Sequence, residues 1–124
     1  MAEDCAGLGT ATKALIDAMA KQNVVVNCVY ASESNPMLQE FLEKKNEFRF
    51  VANDCKVGTK TATDKAFDLG VDVYVNGAEC GPFSKIGSNG GALDPRADTT
   101  RQSVRFIKKR QPRVFLLEQV KNIV

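Results

Sequence analysis

The sequence predicts an α/β fold built on a mostly parallel sheet, and three features of the chain lead to this prediction. Short apolar runs alternate with amphipathic stretches, which is the order that strands and helices take in βαβ units. Turn-forming glycine, proline and asparagine residues separate the two kinds of segment. A polar or reactive residue follows each apolar run, at the edge where parallel sheets bind their ligands.

The first third of the chain predicts a short strand, a helix and a second strand. Residues 6–9 form a glycine-containing turn that would open the helix, which Thr10 or Thr12 could cap. Residues 24–30 are β-branched and apolar, as expected for a buried strand. Apolar spacing of three and four residues places on the inner face of the helix Ala11, Ala14, Leu15, Ala18 and Met19.

The middle of the chain predicts two further strands and two helices. Pro36 suits the first turn of a helix, and residues 48–52 and 71–75 have the pattern of strands. A helix over residues 62–69 would end at Gly70. The apolar positions expected to face the core from the helix after Pro36 are Met37, Leu38, Phe41 and Leu42.

The last third of the chain predicts a helix and a final strand. The helix covers residues 99–109, with Val104 and Ile107 facing inward. The strand covers residues 114–117 and leads directly to Glu118. Strand and helix thus alternate along the whole chain, which favours a parallel sheet with right-handed crossovers.

Composition limits the classes of function that are open to the chain. Its 124 residues are 44% hydrophobic and 26% charged, which is typical of one globular domain. The net charge of +2 permits a nucleic-acid partner without demanding one. The sequence contains no histidine, so Ser-His-Asp catalysis, Cys-His catalysis and histidine metal ligands are all excluded within this chain.

The four cysteines are expected to be free thiols. They lack the CxxC spacing of zinc sites, so we expect no metal site. No apolar run reaches the ~18 residues of a membrane span, and we expect no membrane partner. Free thiols indicate a reducing, intracellular compartment, which would be nuclear in a eukaryote and cytoplasmic in a bacterium.

Cys80 is the strongest candidate for a reactive residue. It lies in the stretch Gly-Ala-Glu-Cys-Gly-Pro-Phe-Ser over residues 77–84, just past the predicted strand 71–75. A cysteine on a loop that a buried strand holds in place is positioned as nucleophiles usually are. The alternative is that Cys80 is a small buried hydrophobic residue.

The other predicted strand ends carry polar candidates. Glycines 7 and 9 would let a ligand reach backbone N–H groups at a helix N-terminus, although a tight turn without a ligand has the same pattern. Glu33 could accept hydrogen bonds from ribose hydroxyls, or simply lie near a helix N-terminus. Asp54 could hold an adenine amino group, or simply lie near a helix N-terminus. Glu118 could donate or share a proton, or be a solvated strand end.

Three motifs follow one another in the second half of the chain. They are Cys80-Gly81-Pro82-Phe83-Ser84, Asp94-Pro95-Arg96 and Leu117-Glu118-Gln119-Val120-Lys121-Asn122. Together they resemble motifs of the cytosine-C5 DNA methyltransferases, which carry Pro-Cys-Gln-x-Phe-Ser, then Asp-x-Arg, then Glu-Asn-Val. Cys80 and Glu118 fit the spacing of that family without a gap.

The resemblance implies a Rossmann-like fold that binds S-adenosylmethionine. It implies that residues 1–124 are a partial catalytic domain, the cofactor half plus the catalytic loop, without the C-terminal strands and the target-recognition domain. Glu33 would hold the ribose of the cofactor and Asp54 its adenine. The full set of expected cofactor residues is Ala6, Gly7, Leu8, Gly9, Glu33, Ser34, Asp54, Cys55 and Gly77.

The resemblance also implies a reaction and a partner. The Cys80 thiolate would attack carbon 6 of a flipped-out cytosine in DNA while Glu118 engages ring nitrogen 3, and carbon 5 would take the methyl group. The nucleic acid would be contacted by Ser84, Lys85 and Arg96. A missing C-terminal half or a second subunit would supply target recognition, and the fragment would be inactive alone.

Several residues differ from the family pattern. Glu79 replaces the proline before the cysteine, which would otherwise stiffen the loop. Gly81 replaces a glutamine, Gln119 replaces an asparagine and Thr10 replaces a glycine. These differences keep open a second reading, in which the chain is a cofactor-binding pseudoenzyme or a regulatory module without turnover.

Two further alternatives concern the substrate and the chemistry. An RNA cytosine-C5 methyltransferase would carry similar motifs, so RNA is an alternative partner. A dinucleotide-dependent oxidoreductase would share the glycine turn and Glu33, but it has no use for Cys80 and Glu118. A basic cluster is formed by Lys108, Lys109, Arg110 and Arg113. It could contact phosphates, or it could be a solvated helix end where cations suit the helix dipole.

Overall fold

A computed structural model describes residues 1–53, 70–83 and 93–121 of the chain. The predicted helix over residues 62–69 lies outside these ranges. The strands are β1 (Ala2–Asp4), β2 (Cys28–Ser32), β3 (Phe48–Ala52), β4 (Val73–Asn76) and β5 (Val114–Leu117). The helices are α1 (Thr10–Ala20), α2 (Pro36–Lys45) and α3 (Asp98–Arg110), and a 3₁₀ turn at Pro95–Ala97 precedes α3.

The five strands form one parallel sheet in the order β3-β2-β1-β4-β5. The chain moves outward from β1 through β2 to β3 and then returns to the other side of β1 for β4 and β5. A switch point therefore lies between β1 and β4, where the crevice of a doubly wound sheet opens. All strands end at the same side, here called the carboxyl edge. The predicted parallel α/β fold is confirmed.

The core has one layer on each face of the sheet. On the first face, Tyr30 and Tyr74 pack against Phe106 of α3, whose ring stacks on that of Tyr74 at 4.4 Å between centroids. On the second face, Ala31 and Val75 pack with residues of α1 and with Leu42 of α2. In β4 the residues alternate between the two layers, with Tyr74 on the first face and Val73 and Val75 on the second, because successive side chains point to opposite faces.

A buried polar network on the first face joins side chains of β1, β2, β4 and α3. The Asp4 carboxylate accepts hydrogen bonds from the hydroxyls of Ser32, at 2.5 Å, and Tyr74, at 2.6 Å. Asn76 continues the network by donating to the Tyr74 hydroxyl and to Ser103 of α3. Burial and the nearby Asp4 carboxylate raise the pKa of Tyr74, so this residue stays protonated and remains a donor.

The predicted second strand begins too early. β2 starts at Cys28, and Val24 and Val25 are 51% and 85% exposed. The cause is the end of α1, where Val24 donates its N–H to Met19 and Asn23 adopts a left-handed φ of 57°. Val24 and Val25 therefore belong to the segment that follows α1, although their β-propensity alone would assign them to the strand.

Helical periodicity also predicted the wrong core-facing residues at some positions of the three helices. Val104 of α3 is 40% exposed, and Phe106 is buried beside Ile107 instead. On α2, Met37 is 80% exposed and Leu42 is the buried position. On α1, Ala14 and Ala18 are exposed, and the residues that pack against the sheet are Ala11, Leu15 and Ile16. Propensity and spacing locate a helix but do not fix its rotation about its own axis.

Candidate active site

The turn from Cys5 to Gly9 lies at the carboxyl edge, beside the switch point. Cys5, Gly7 and Gly9 all have positive φ, at 53°, 55° and 69°. A Cβ at Gly9 would lie 3.0 Å from a methyl carbon of Leu42, so a glycine is required there for packing against α2. Among the residues that the structure describes, a Cβ at Gly7 would meet nothing within 4 Å, so this part of the turn is open on that side.

Glu33, which follows β2, joins this turn to the beginning of α2. One carboxylate oxygen accepts the N–H of Gly7 and the other accepts the N–H of Asn35, each at 2.9 Å. Asn35 in turn caps α2 by accepting the N–H of Met37. Glu33 is buried. Its Oε1 also lies 3.5 Å from the hydroxyl of Ser34, which donates to it, whereas Oε2 keeps a second lone pair that can accept another donor. Both predicted roles of Glu33, ligand contact and helix-end contact, are compatible with this geometry.

Glu3 of β1 supports the site in a way that the sequence did not reveal. Gly9 provides no side-chain cap for α1, and Glu3 supplies one from the adjoining strand by accepting the N–H and hydroxyl of Thr12. Burial raises the pKa of Glu3, and the hydrogen bonds from Thr12 lower it in part. The remote cap fixes the start of α1, and hence the glycine turn, to the sheet. The prediction that Thr10 or Thr12 caps this helix is wrong, because both residues lie within α1 and Gly9 precedes it without a side-chain hydrogen bond.

The catalytic-loop candidate follows β4 and is anchored on both sides of the cysteine. Ala78 is buried on one side, and Pro82 and Phe83 are buried on the other. The N–H of Phe83 closes a turn by donating to the carbonyl of Cys80 at 3.0 Å. Cys80 itself is an exposed free thiol. The loop therefore presents Cys80 to solvent at the carboxyl edge, and the buried-hydrophobe alternative is wrong.

Gln119 links the segment of Glu118 to this loop. The N–H of Glu118 extends the ladder between β4 and β5 by donating to the carbonyl of Asn76 at 3.0 Å. The Gln119 amide then donates to the carbonyls of Ala78, at 3.0 Å, and Glu79, at 3.3 Å. Glu118 is thereby held on the strand end that adjoins the Cys80 loop, and its side chain is exposed.

Arg96 approaches the same loop from the 3₁₀ turn. Its guanidinium pairs with both oxygens of Asp94 and also lies 3.4 Å from a carboxylate oxygen of Glu79. The motif residues Cys80, Arg96 and Glu118 are therefore placed on neighbouring segments of one edge, together with Gly77, whose N–H donates to the carbonyl of Asp4.

Other predicted residues are not described or lie elsewhere. Asp54, Cys55, Ser84 and Lys85 fall outside the described residues. The basic cluster, by contrast, includes the last turn of α3, which precedes β5 in the chain. β5 starts at Val114, which pairs with Val73 at the start of β4, so the end of α3 leads to the amino edge of the sheet. That part of the cluster is at the opposite edge of the sheet from Cys80, which favours its interpretation as a solvated helix end.

The described residues fit a nucleotide-type cofactor at the switch point. The space beside Gly7 is open, and the Glu33 carboxylate next to it has acceptor capacity left for hydroxyl groups. Ala6 and Gly9 are buried and shape the turn, whereas Leu8 and Ser34 are exposed beside it. Within residues 1–53, 70–83 and 93–121, no group of three or more acidic or cysteine side chains could hold a metal ion.

The fold and site define a Rossmann-like α/β protein with a cofactor turn at its switch point and a nucleophile candidate on the next strand end. A family model for C-5 cytosine-specific DNA methylase matches residues 1–124, and the chain belongs to this family. Its fold is the Rossmann-like methyltransferase fold. No helix in the described part of the chain is both long and apolar enough to cross a membrane.

Similar proteins include several bacterial methyltransferases. The Type II methyltransferase M.NlaIV of Neisseria lactamica is 30% identical over 118 residues, which are 95% of this chain and 27% of that protein. M.BsuFI of Bacillus subtilis is 30% identical over 97 residues, or 78% of this chain and 22% of the relative. M.AluI of Cellulosimicrobium cellulans is 37% identical over 62 residues, or 50% and 12%. The chain thus spans about a quarter or less of the length of these relatives.

Proposed function

We propose that this chain provides the cofactor half and the catalytic loop of a DNA (cytosine-5-)-methyltransferase. The observation that carries the proposal is the junction between the ends of β4 and β5. There, Gln119 bonds to the backbone just before Cys80, and Glu118 is its immediate neighbour. A nucleophile and an acid on adjoining strand ends can act on the same base from two directions.

S-adenosylmethionine is the proposed cofactor, and when bound it supplies an electrophilic methyl group. Gly7 leaves room for its approach at the turn. Glu33 accepts a ribose hydroxyl with the lone pair of Oε2 that Gly7 does not use. Ala6, Leu8, Gly9, Ser34 and Gly77 border the same crevice, and Asp54 and Cys55 are proposed from the family motif alone.

Cys80 and Glu118 have different roles at the cytosine base. The thiolate sulfur forms a bond to carbon 6 of a flipped-out cytosine, and the electron pair of the 5,6 double bond moves toward carbon 5. Glu118 engages ring nitrogen 3 and stabilises the charge that develops there. After carbon 5 has gained the methyl group, a base removes its proton, the double bond reforms and Cys80 leaves. The nucleic acid is held near Ser84, Lys85 and Arg96.

A further segment or a second subunit is proposed to complete the enzyme along β5. In the described part of the sheet, β5 is an edge strand, and all four of its residues are exposed, by 37% to 57%. An apolar strand with an open edge and two uncovered faces favours pairing with another strand. Target recognition would come with that pairing, so residues 1–124 form only part of the catalytic domain.

The test is covalent trapping on duplex DNA that carries 5-fluorocytosine, in the presence of S-adenosylmethionine. Fluorine cannot leave as the proton does, so an attacking thiolate remains attached. We expect an adduct that is lost in Cys80→Ala and retained in Cys28→Ala, which removes a buried thiol of β2. The assay is made with the partner segment or subunit present, and an adduct that persists in Cys80→Ala would overturn the proposed nucleophile.

A cofactor-binding module without turnover is the second candidate. It is favoured by Glu79, which stands where the family carries proline and pairs with Arg96. Isothermal titration with S-adenosylmethionine separates the two candidates when it is combined with trapping. Binding without an adduct supports the module, and binding with an adduct supports the enzyme.

A further inference from the structure

Two carboxylates from different segments hold the guanidinium of Arg96. Asp94 accepts a hydrogen bond from Nε at 3.1 Å and another from Nη2 at 2.8 Å, a bidentate pair that fixes the plane of the group. Glu79 of the Cys80 loop lies on the remaining side, with its Oε1 3.4 Å from Nη1. The turn of Arg96 therefore orients its guanidinium through Asp94. Among the described residues, Nη1 of this group faces Glu79.

Gly81 provides the space in which this contact forms. A Cβ at residue 81 would lie 2.9 Å from Nη1 of Arg96 and 3.1 Å from Oε1 of Glu79. Any larger residue would thus push the two groups apart. Glu79 and Gly81 are both departures from the family pattern, and the structure places both of them against the same guanidinium.

We propose that Glu79 competes with a nucleic-acid phosphate for Arg96. Carboxylate and phosphate oxygens both match the donor fork of arginine, so the two anions would use the same side of the group. The side chains of Arg96 and Glu79 are 44% and 59% exposed, so a phosphate can approach the guanidinium from solvent on the side where Glu79 lies. The proposal rests on the proposed function only in that the chain must meet nucleic acid.

The competition lowers affinity without abolishing it. An exposed ion pair is weak, so its loss corresponds to about a two- to fivefold change in affinity. Asp94 keeps the guanidinium oriented when Glu79 leaves, because its two bonds involve Nε and Nη2 rather than Nη1. Glu79 thus sets how tightly the loop that carries Cys80 holds the nucleic-acid backbone.

A double-mutant cycle tests the coupling between the two residues. Binding of the full chain, with the partner segment or subunit present, to a short cytosine-containing duplex is measured by fluorescence anisotropy at low and at high salt. The proteins compared are the wild type, Glu79→Gln, Arg96→Gln and the double variant. We expect Glu79→Gln to tighten binding about two- to fivefold in the wild-type background and to have no effect when Arg96 is absent. The gain should shrink at high salt.

Gly81→Ala provides a test that changes no charge. The added methyl group should displace the flexible end of Arg96 from Glu79, and so tighten binding as Glu79→Gln does. Glu40→Gln, an exposed charge removal on α2, is the matched control and should change affinity less. Circular dichroism verifies that each variant is folded.

Several outcomes would overturn the proposal. An equal gain from Glu79→Gln with and without Arg96 would mean general charge repulsion, and no gain from either Glu79→Gln or Gly81→Ala would mean no competition. Absence of duplex binding in every variant would overturn both this proposal and the proposed function. Normal coupling without any trapped adduct would overturn the catalytic proposal alone.

Discussion

The carboxylate of Glu33 accepts a hydrogen bond from the backbone N–H of Gly7 at 2.9 Å. This contact spans two strand ends, because Glu33 follows β2 and Gly7 belongs to the turn after β1. The acid proposed to bind the cofactor ribose therefore also shapes the turn on which the cofactor would lie. Substitutions at Glu33 should affect both the stability of the chain and its ligand binding.

Glu33→Gln is expected to weaken cofactor binding and to destabilise the fold. Its amide offers one oxygen, so its NH₂ group would face either the N–H of Gly7 or that of Asn35, and one partly buried donor would lose its acceptor. Urea denaturation should show a loss of about 1–3 kcal/mol in the free energy of unfolding. Titration calorimetry with S-adenosylmethionine should show weaker binding. Glu40→Gln is the control, and equal affinity in Glu33→Gln and the wild type would contradict the assignment.

Glu3 should make stability decrease as the pH rises. Burial raises the pKa of Glu3 above its ordinary value of 4.5, so the native state binds this proton more tightly than the unfolded chain does. The resulting stabilisation is fully present below the unfolded pKa and is lost as the pH passes through the raised folded pKa. Glu3→Gln keeps an oxygen for Thr12 and removes the titration.

Urea denaturation at several pH values, from about 4 to about 7, measures this effect. The free energy of unfolding of the wild type relative to Glu3→Gln should fall as the pH increases across this window. A relative stability that instead rises with pH would mean that the native state favours the charged form of Glu3.

Ser32 and Ser34 form a matched pair that tests the Asp4 network. Ser32 is buried and donates to the Asp4 carboxylate, whereas Ser34 is exposed. Ser32→Ala should cost about 1–3 kcal/mol in the free energy of unfolding, because a buried carboxylate loses a donor. Ser34→Ala should stay within about 0.5 kcal/mol of the wild type. Equal costs in the two variants would rule out a special role for the network.

Gln119 is expected to hold the Cys80 loop rather than to act on the base. In Gln119→Ala, hydrogen exchange at the Phe83 amide, which closes the turn at Cys80, should become faster, and stability should fall by about 0.5–1.5 kcal/mol. Gln119→Glu should be worse, because its carboxylate would face two carbonyl oxygens. Gln22→Ala, in the exposed segment after α1, is the control. Unchanged exchange at Phe83 in both Gln119 variants would show that the loop is held by other contacts.

The sequence predicted most secondary structure correctly where a local pattern was sufficient. The predicted bounds of β3 and β5 agree with the structure, and Pro36 begins α2 as expected. These elements are short apolar or capped segments whose signals lie within a few neighbouring residues. The predicted start of β2 was too early because Val24 donates its N–H to the carbonyl of Met19 and so belongs to the turn that ends α1.

The sequence led to a hypothesis for the chemistry of the site but gave no information on the contacts that hold it. Motif resemblance identified Cys80 and Glu118, and the family assignment agrees with that resemblance. The partners that hold the site are far apart in the chain, as with Glu3 and Thr12 or Gln119 and Ala78. Long-range pairing of this kind depends on strand order, which residue patterns in a single sequence do not specify.

The sequence by itself determined the parallel α/β class, the family and the residues that carry the proposed chemistry, because these depend on patterns along the chain. Only the tertiary structure decided that Glu33 holds Gly7 and that Glu79 meets Arg96 over Gly81. The physical reason is that a parallel sheet gathers its strand ends at one edge. Side chains separated by many residues in the sequence come within hydrogen-bonding distance there, and each contact depends on the packing of the whole sheet.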